Sequence, residues 1–266
     1  MIKINGKEVL FERFPNGETL FKHSFEETEH ITVDFKYEDD SDLIKLLLVK
    51  KELDSVITGL IGLNITYYPY SRMDRGGDGI VFTLKHIATF INSLKFDGVI
   101  INEPHSDKCV ELTHGSGVRW LTTELFEDYK KEEGFSYDND YLVFPDKGAY
   151  DRYIPLFPNA KILYGEKVRN FKTGVIESLK IIGEYDGKGK AIIIDDLCCG
   201  GYTFKLTARE LKRVGVGEIS LILGHCEDTI YKRGLLEDTN ITKVYTTNSI
   251  LNLPSKSEKL IIKEMV

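Results

Sequence analysis

Two aspartates, two cysteines and two glycines follow one another in 191-AIIIDDLCCGGYTF-204. Four apolar residues lead into Asp195 and Asp196, the chain turns at Gly200 and Gly201, and Thr203 opens a helix-like stretch. Carboxylates at the end of a buried strand can accept from ribose hydroxyls or ligate a metal. Glycines allow an anion to approach the backbone closely, and the free N–H groups at a helix start favour phosphate. The plainer reading is a strand–helix turn with capping acids. Cys198 and Cys199 read as small apolar filler under the turn, with a thiol of lowered pKa at a helix N-terminus as the alternative.

Other stretches carry charge in useful places. In 66-TYYPYSRMDRGGDG-79, Arg72 and Arg75 flank Asp74 after a strand-like run. Guanidinium forks match phosphate oxygens, so such a pair can clamp a polyphosphate; a solvated charged loop is the competing reading. His105 in 101-INEPHSDK-108 could meet a metal or a phosphate, although a lone histidine more often has a structural role. Asp146 in 143-VFPDKGAYDRY-153 follows a strand directly, with Arg152 near it. In 164-YGEKVRNFKTG-174, Lys167 and Arg169 lie in a polar segment that could close over a transferring phosphoryl group. The PNGE of 11-FERFPNGETLF-21 signals a loop or hairpin.

These residues need elements to hold them. Strand-like runs at 31–36, 57–63, 65–68, 98–102, 141–144, 161–164, 179–182, 191–195, 218–224 and 243–246 alternate with helical patterns at 41–55, 80–94 and 203–214. That alternation predicts an α/β fold with parallel sheets covered on both faces. Ligands of such sheets sit beyond the carboxyl ends of the strands, where the turns above lie. The polar segment 130–140 (KKEEGFSYDND) suggests two domains, 1–138 and 139–266.

A chain of 266 residues with 42% hydrophobic and 29% charged residues fits a soluble globular protein. The net charge of −7 argues against a nucleic-acid binder. Four cysteines without C-x-x-C spacing argue against a zinc site. No run approaches eighteen apolar residues, and MIKINGKEVLFERF lacks the apolar stretch of a leader, so a cytoplasmic setting is expected.

In this order, the stretches resemble the ribose-phosphate pyrophosphokinases (PRPP synthetases) over roughly residues 8 to 250. FPNGE (14–18) is similar to the family's F-x-D-G-E, with Asn16 in place of the acid, and YYPYSRMDR (67–75) to Y-x-P-Y-A-R-Q-D-R. FTLK (82–85) is a weaker echo of I-S-A-K. PHSDK (104–108) resembles the stretch around the metal-binding histidine, VFPDKGAYDR (143–152) V-x-P-D-x-G-x-x-x-R, and EKVR (166–169) the K-x-R of the catalytic loop. AIIIDDLCCGGYT (191–203) matches the ribose-phosphate loop and VYTTNSI (244–250) the V-x-x-T-N-T-I ending.

The resemblance implies two phosphoribosyltransferase-like domains, each a mainly parallel sheet flanked by helices, and transfer of the β,γ-diphosphoryl group of ATP to an anomeric ribose hydroxyl. It implies Lys167 and Arg169 as catalytic residues. Arg72, Asp74, Arg75 and His105 would line the ATP site, with Phe14, Asn16 and Glu18 contacting adenine from a neighbouring subunit of a homo-oligomer. His105 and Asp146 would help bind Mg²⁺, and Asp195 and Asp196 the ribose hydroxyls.

The match departs at the loop that wraps the ribose 5-phosphate. The family's D-T-(G/A)-G-T is replaced by Cys199, Gly200, Gly201, Tyr202 and Thr203. A lost charge-assisted hydrogen bond to a phosphate costs on the order of 1.5–3 kcal/mol. Two acceptors follow: ribose 5-phosphate, held through backbone N–H groups and Thr203, or ADP-ribose, whose diphosphate would run along the loop with Tyr202 packing on a base or sugar. A non-catalytic regulatory relative is a third reading, against which the retained K-x-R pair speaks. The N-terminal FPNGE and PYSRMDR stretches speak against a phosphoribosyltransferase.

Overall fold

The computed structural model describes residues 1–22, 29–169, 176–255 and 257–265, without the side chains of 167–169 and 176–178. The chain forms two compact units, Met1–Arg119 and Trp120–Glu264.

The first unit opens with β1 (Ile2–Ile4) and β2 (Lys7–Glu8), then a separate hairpin of β3 (Phe11–Arg13) and β4 (Thr19–Phe21) closed by the PNGE turn. Four parallel strands follow: β5 (His30–Phe35), β6 (Leu60–Ile65), β7 (Gly98–Asn102) and β8 (Ser116–Arg119). Helices α1 (Ser41–Val56), α2 (Thr83–Ser93) and α3 (Lys108–Glu111) connect them, and the sheet order is β2-β1-β5-β6-β7-β8. The strand expected in two pieces at 57–63 and 65–68 is the single β6, because Ile57 still caps α1.

The parallel strands run in sequential order, and right-handed crossovers therefore put their helices on one face. Val33, Leu63 and Val99 point into that core and pack with Leu46, Leu53, Leu84 and Ile91. Their alternates on the opposite face, His30, Thr32, Leu60 and Ile100, stay exposed. This corrects the expectation of sheets covered on both faces.

The second unit meets that expectation. Its strands are β9 (Tyr141–Phe144), β10 (Lys161–Arg169), β11 (Ile176–Ile182), β12 (Ala191–Cys198), β13 (Ile219–Cys226), β14 (Lys243–Thr247) and β15 (Leu260–Lys263), in the order β11-β10-β9-β12-β13-β14-β15. Only the β10–β11 pair is antiparallel. Strand residues alternate between two cores. Val143, Ile193 and Leu221 join Phe204 and Leu211 of α6 (Tyr202–Arg213) on one face. Phe144, Ile194 and Ile222 join Leu125, Phe126 and Tyr129 of α4 (Leu121–Glu133) and Tyr153 of α5 (Lys147–Tyr153) on the other. Continuous apolar strands are what double burial demands, and all eight residues of β13 are buried.

Sequence reading missed α4 and α5. Helix α4 precedes the expected boundary at 138/139, yet it packs in the second unit, where the rings of Tyr129 and Tyr245 meet edge to face at 5.3 Å. Among the described residues, no helix is long and apolar enough to cross a membrane.

Candidate active site

At the carboxyl edge of the second sheet, β12 runs through both aspartates to Cys198 rather than stopping at Asp195. The backbone N–H of Asp196 donates to Asp195 Oδ1 at 3.0 Å. Arg152, in the last turn of α5, donates from Nη1 to Asp196 Oδ1 at 2.6 Å and stands 4.0 Å from Asp195 Oδ1. Burial alone would lower the basicity of this guanidinium, but Asp196, Tyr153 and Asp195 together raise it above its ordinary value. Burial, then the charge of Asp196, then Asp146 push the Asp195 carboxyl well above the usual range, against a smaller opposing pull from Arg152. One carboxylate is thus fixed by an arginine while its neighbour holds a proton more readily.

Asp146 caps α5, its Oδ1 accepting from the Ala149 N–H at 3.0 Å. The structure therefore gathers Asp146, Arg152, Asp195 and Asp196 at one edge. Among the described residues, no three His, Cys, Asp or Glu side chains are grouped to hold a metal. The carboxylates of Asp146, Asp195 and Asp196 are hard oxygen donors of the kind that fit Mg²⁺, which keeps waters and substrate oxygens and takes few protein ligands.

The turn after β12 is shaped by packing as well as by conformation. Gly200 and Gly201 have φ of +73° and +76°. A Cβ on Gly200 would lie 2.8 Å from Arg233 Cγ, and one on Gly201 2.7 Å from Cδ2 of the buried Leu235. Gly201→Ala is therefore expected to cost about 2–3 kcal/mol in urea unfolding, from left-handed strain plus overpacking. Gly217→Ala, where nothing lies within 4 Å of the added carbon and φ is ordinary, should be near neutral.

The two cysteines differ. Cys198 lies opposite Cys226 in the β12–β13 register, and both belong to the core, so Cys198 is filler as expected. Cys226 titrates far above the ordinary thiol range because of its contact with Cys198 and its burial. Cys199 is exposed, and its thiol donates to Glu227 Oε1 at 2.5 Å. Tyr202 opens α6 and is 59% exposed, and no side chain caps that helix start. Thr203 is half-buried in the first turn.

Lys167 and Arg169 fall in β10, so part of the segment expected as a loop is strand. Lys167 pairs with Leu179 and Arg169 with Ile176, with a register shift between Val168 and Arg169. The side chains of both lie outside the described residues, as do residues 170–175.

In the first unit, the predicted PNGE turn is a hairpin tip. The Phe14 N–H donates to Glu18 O at 2.9 Å, Asn16 Nδ2 donates to Glu18 Oε2 at 2.8 Å, and Phe14 is half exposed. Arg72 lines a cavity of about 710 Å³ with Tyr37, Asp39, Asp40, Tyr67 and Tyr70. Arg75 does not line it; it is 90% exposed, its Nε 3.5 Å from Asp74 Oδ1. Burial raises the Cys109 thiol to about 11, and the Asp74 carboxylate adds to that. Sequence reading missed Tyr37, Asp39 and Asp40, although 37-YEDD-40 follows β5 at its carboxyl end, where ligand groups are expected.

No family model matches the chain. Over 252 residues it is 28% identical to the ribose-phosphate pyrophosphokinase of Sulfurisphaera tokodaii, covering 91% of this chain and 84% of that protein. It is also 28% identical over 262 residues to the ribose-phosphate pyrophosphokinase of Fusobacterium nucleatum, covering 93% and 79%. Its fold matches the crystal structure of phosphoribosylpyrophosphate synthetase from Mycobacterium smegmatis with a TM-score of 0.75 at 18% identity, over 97% of this chain and 86% of that one.

Proposed function

We propose that this chain, a divergent member of the ribose-phosphate pyrophosphokinase family, transfers the β,γ-diphosphoryl group of ATP to the 1-hydroxyl of ribose 5-phosphate, yielding PRPP and AMP. The observation that carries this reading is the carboxyl edge of the second sheet. There Asp195 and Asp196 follow one another, the latter fixed by Arg152 at 2.6 Å, on the strand that leads through the Gly200–Gly201 turn to a helix start without a side-chain cap. Paired carboxylates are acceptors for a sugar diol, and the helix start attracts its phosphate.

In this scheme the anomeric oxygen attacks the β-phosphorus of ATP and the bond to the AMP oxygen breaks. The chemistry needs alignment and neutralisation of oxygen charge more than covalent help. Lys167 and Arg169 neutralise the charge on the transferring group. Arg72, Asp74 and Arg75 belong to the ATP side with His105, and Phe14, Asn16 and Glu18 of a neighbouring copy complete it in a homo-oligomer. His105 and Asp146 would help bind Mg²⁺, which would neutralise charge on the ATP oxygens.

One observation favours a second acceptor. The place of the family's first loop acid holds Cys199, whose thiol is bonded to the Glu227 carboxylate, and Tyr202 stands exposed beside it. An exposed ring suits an adenosine extension, so ADP-ribose is the alternative acceptor. Parallel assays with ATP, Mg²⁺ and either ribose 5-phosphate or ADP-ribose decide between them by AMP release. AMP formed with neither acceptor would sink both readings.

A further inference from the structure

The turn that carries Arg72 is built against the preference of its own sequence. The Ser71 N–H donates to Tyr68 O at 3.2 Å, Pro69 takes the second position, and Tyr70 at the third has φ of +59°. Those are the marks of a type II turn, whose third position favours glycine because L side chains are strained there. A tyrosine kept in that position must be held by its side chain. Its phenol donates to Asp40 Oδ1 at 2.5 Å, and the Tyr37 phenol donates to the same oxygen at 2.6 Å. The two rings lie 6.2 Å apart, and all three residues line the cavity that Arg72 also lines. A second turn, closed by the Met73 N–H donating to Tyr70 O at 2.9 Å, overlaps the first and holds Arg72 at its third position.

We propose that Asp40 is a positioning residue: by pinning the Tyr37 and Tyr70 phenols to one carboxylate oxygen, it holds the strained Tyr68–Met73 turn that presents Arg72 to the cavity. Short hydrogen bonds to an ionised carboxylate are the strong kind, and Asp40 stays ionised because both phenols lower its pKa, Tyr37 most. The inference rests on the reading of Arg72 as an ATP ligand.

The test is ATP affinity by titration calorimetry on the intact chain with Mg²⁺, for wild type, Arg72→Ala, Asp40→Ala, Asp40→Asn and Tyr70→Phe, with thermal melts alongside. Arg72→Ala should weaken ATP binding at least ten-fold. Asp40→Ala and Tyr70→Phe should each weaken it about five- to twenty-fold, less than the roughly ten- to hundred-fold of a charged hydrogen bond to ATP lost outright, because Asp40 acts only through Arg72. An Asp40→Ala/Tyr70→Phe double variant, titrated alongside, should be no weaker than Asp40→Ala alone, since residues of one network do not add. Asp40→Asn keeps the acceptor oxygen and should recover part of the loss while the melting temperatures stay alike. If Arg72→Ala weakens binding but Asp40→Ala and Tyr70→Phe do not, the positioning role is wrong and the ATP reading stands. If Arg72→Ala leaves binding unchanged, both fall. Loss of affinity that tracks loss of melting temperature, without recovery in Asp40→Asn, also overturns the proposal by making Asp40 merely structural.

Discussion

Lys167→Ala is expected to lower turnover by about 10³-fold while changing ATP affinity no more than a few-fold. The asymmetry follows from where charge develops. In diphosphoryl transfer the departing AMP oxygen carries more negative charge in the loose transition state than in bound ATP. A cation that meets charge only then contributes to kcat and little to ground-state binding. Removal of one such group typically costs about 10²–10³-fold in kcat. The backbone at Lys167 is already tied into the antiparallel β10–β11 pairing opposite Leu179, so alanine there should leave the fold intact. Single-turnover AMP formation and ATP titration on the same variant check this. Equal losses of rate and affinity would remove Lys167 from the role proposed for it.

The parts of this protein legible in its sequence are those where one local pattern dominates. In 191-AIIIDDLCCGGYTF-204, four apolar residues, a double glycine and an amphipathic run specify strand, turn and helix in succession, and β12, the turn and α6 form there. Helix α4 was hidden by its own surface. Leu121, Leu125, Phe126 and Tyr129 recur at helical spacing and are buried, but the polar KKEEGFSYDND at 130–140, which takes in the last turn of the helix, reads as a linker. The same misreading displaced the expected boundary. The glycines of the turn were readable as anion-approach residues, but the packing of Arg233 and Leu235 against them involves residues about thirty positions away, which no local pattern reveals. The Asp40–Tyr70 contact likewise spans thirty residues and joins the turns after β5 and β6, so it exists only once these strands pair.

The paired acids should separate when each is neutralised in turn. Asp195 has its folded-state pKa raised, chiefly by burial and by the charge of Asp196. The folded protein then binds that proton more tightly than the unfolded chain. Stability therefore falls as pH rises from the unfolded value of about 3.9 through the higher folded value, and the ionised carboxyl remains a burden above it. Asp195→Asn removes that burden. Its melting temperature should match wild type near pH 4 and exceed it increasingly toward neutrality. Asp196→Asn should do the reverse, because it strips the partnered charge from Arg152, whose Nη1 lies 2.6 Å from Asp196 Oδ1. Leaving a largely buried guanidinium without that charge costs about 3 kcal/mol. Both variants should lose AMP formation if the two carboxylates hold the ribose hydroxyls, so stability and activity part company at Asp195 and fall together at Asp196. Thermal melts from pH 4 to 9, with the AMP assay at each pH, measure both. An Asp195→Asn variant as destabilised at pH 8 as Asp196→Asn would mean that the pair shares one charge with Arg152, with neither acid set apart for the sugar.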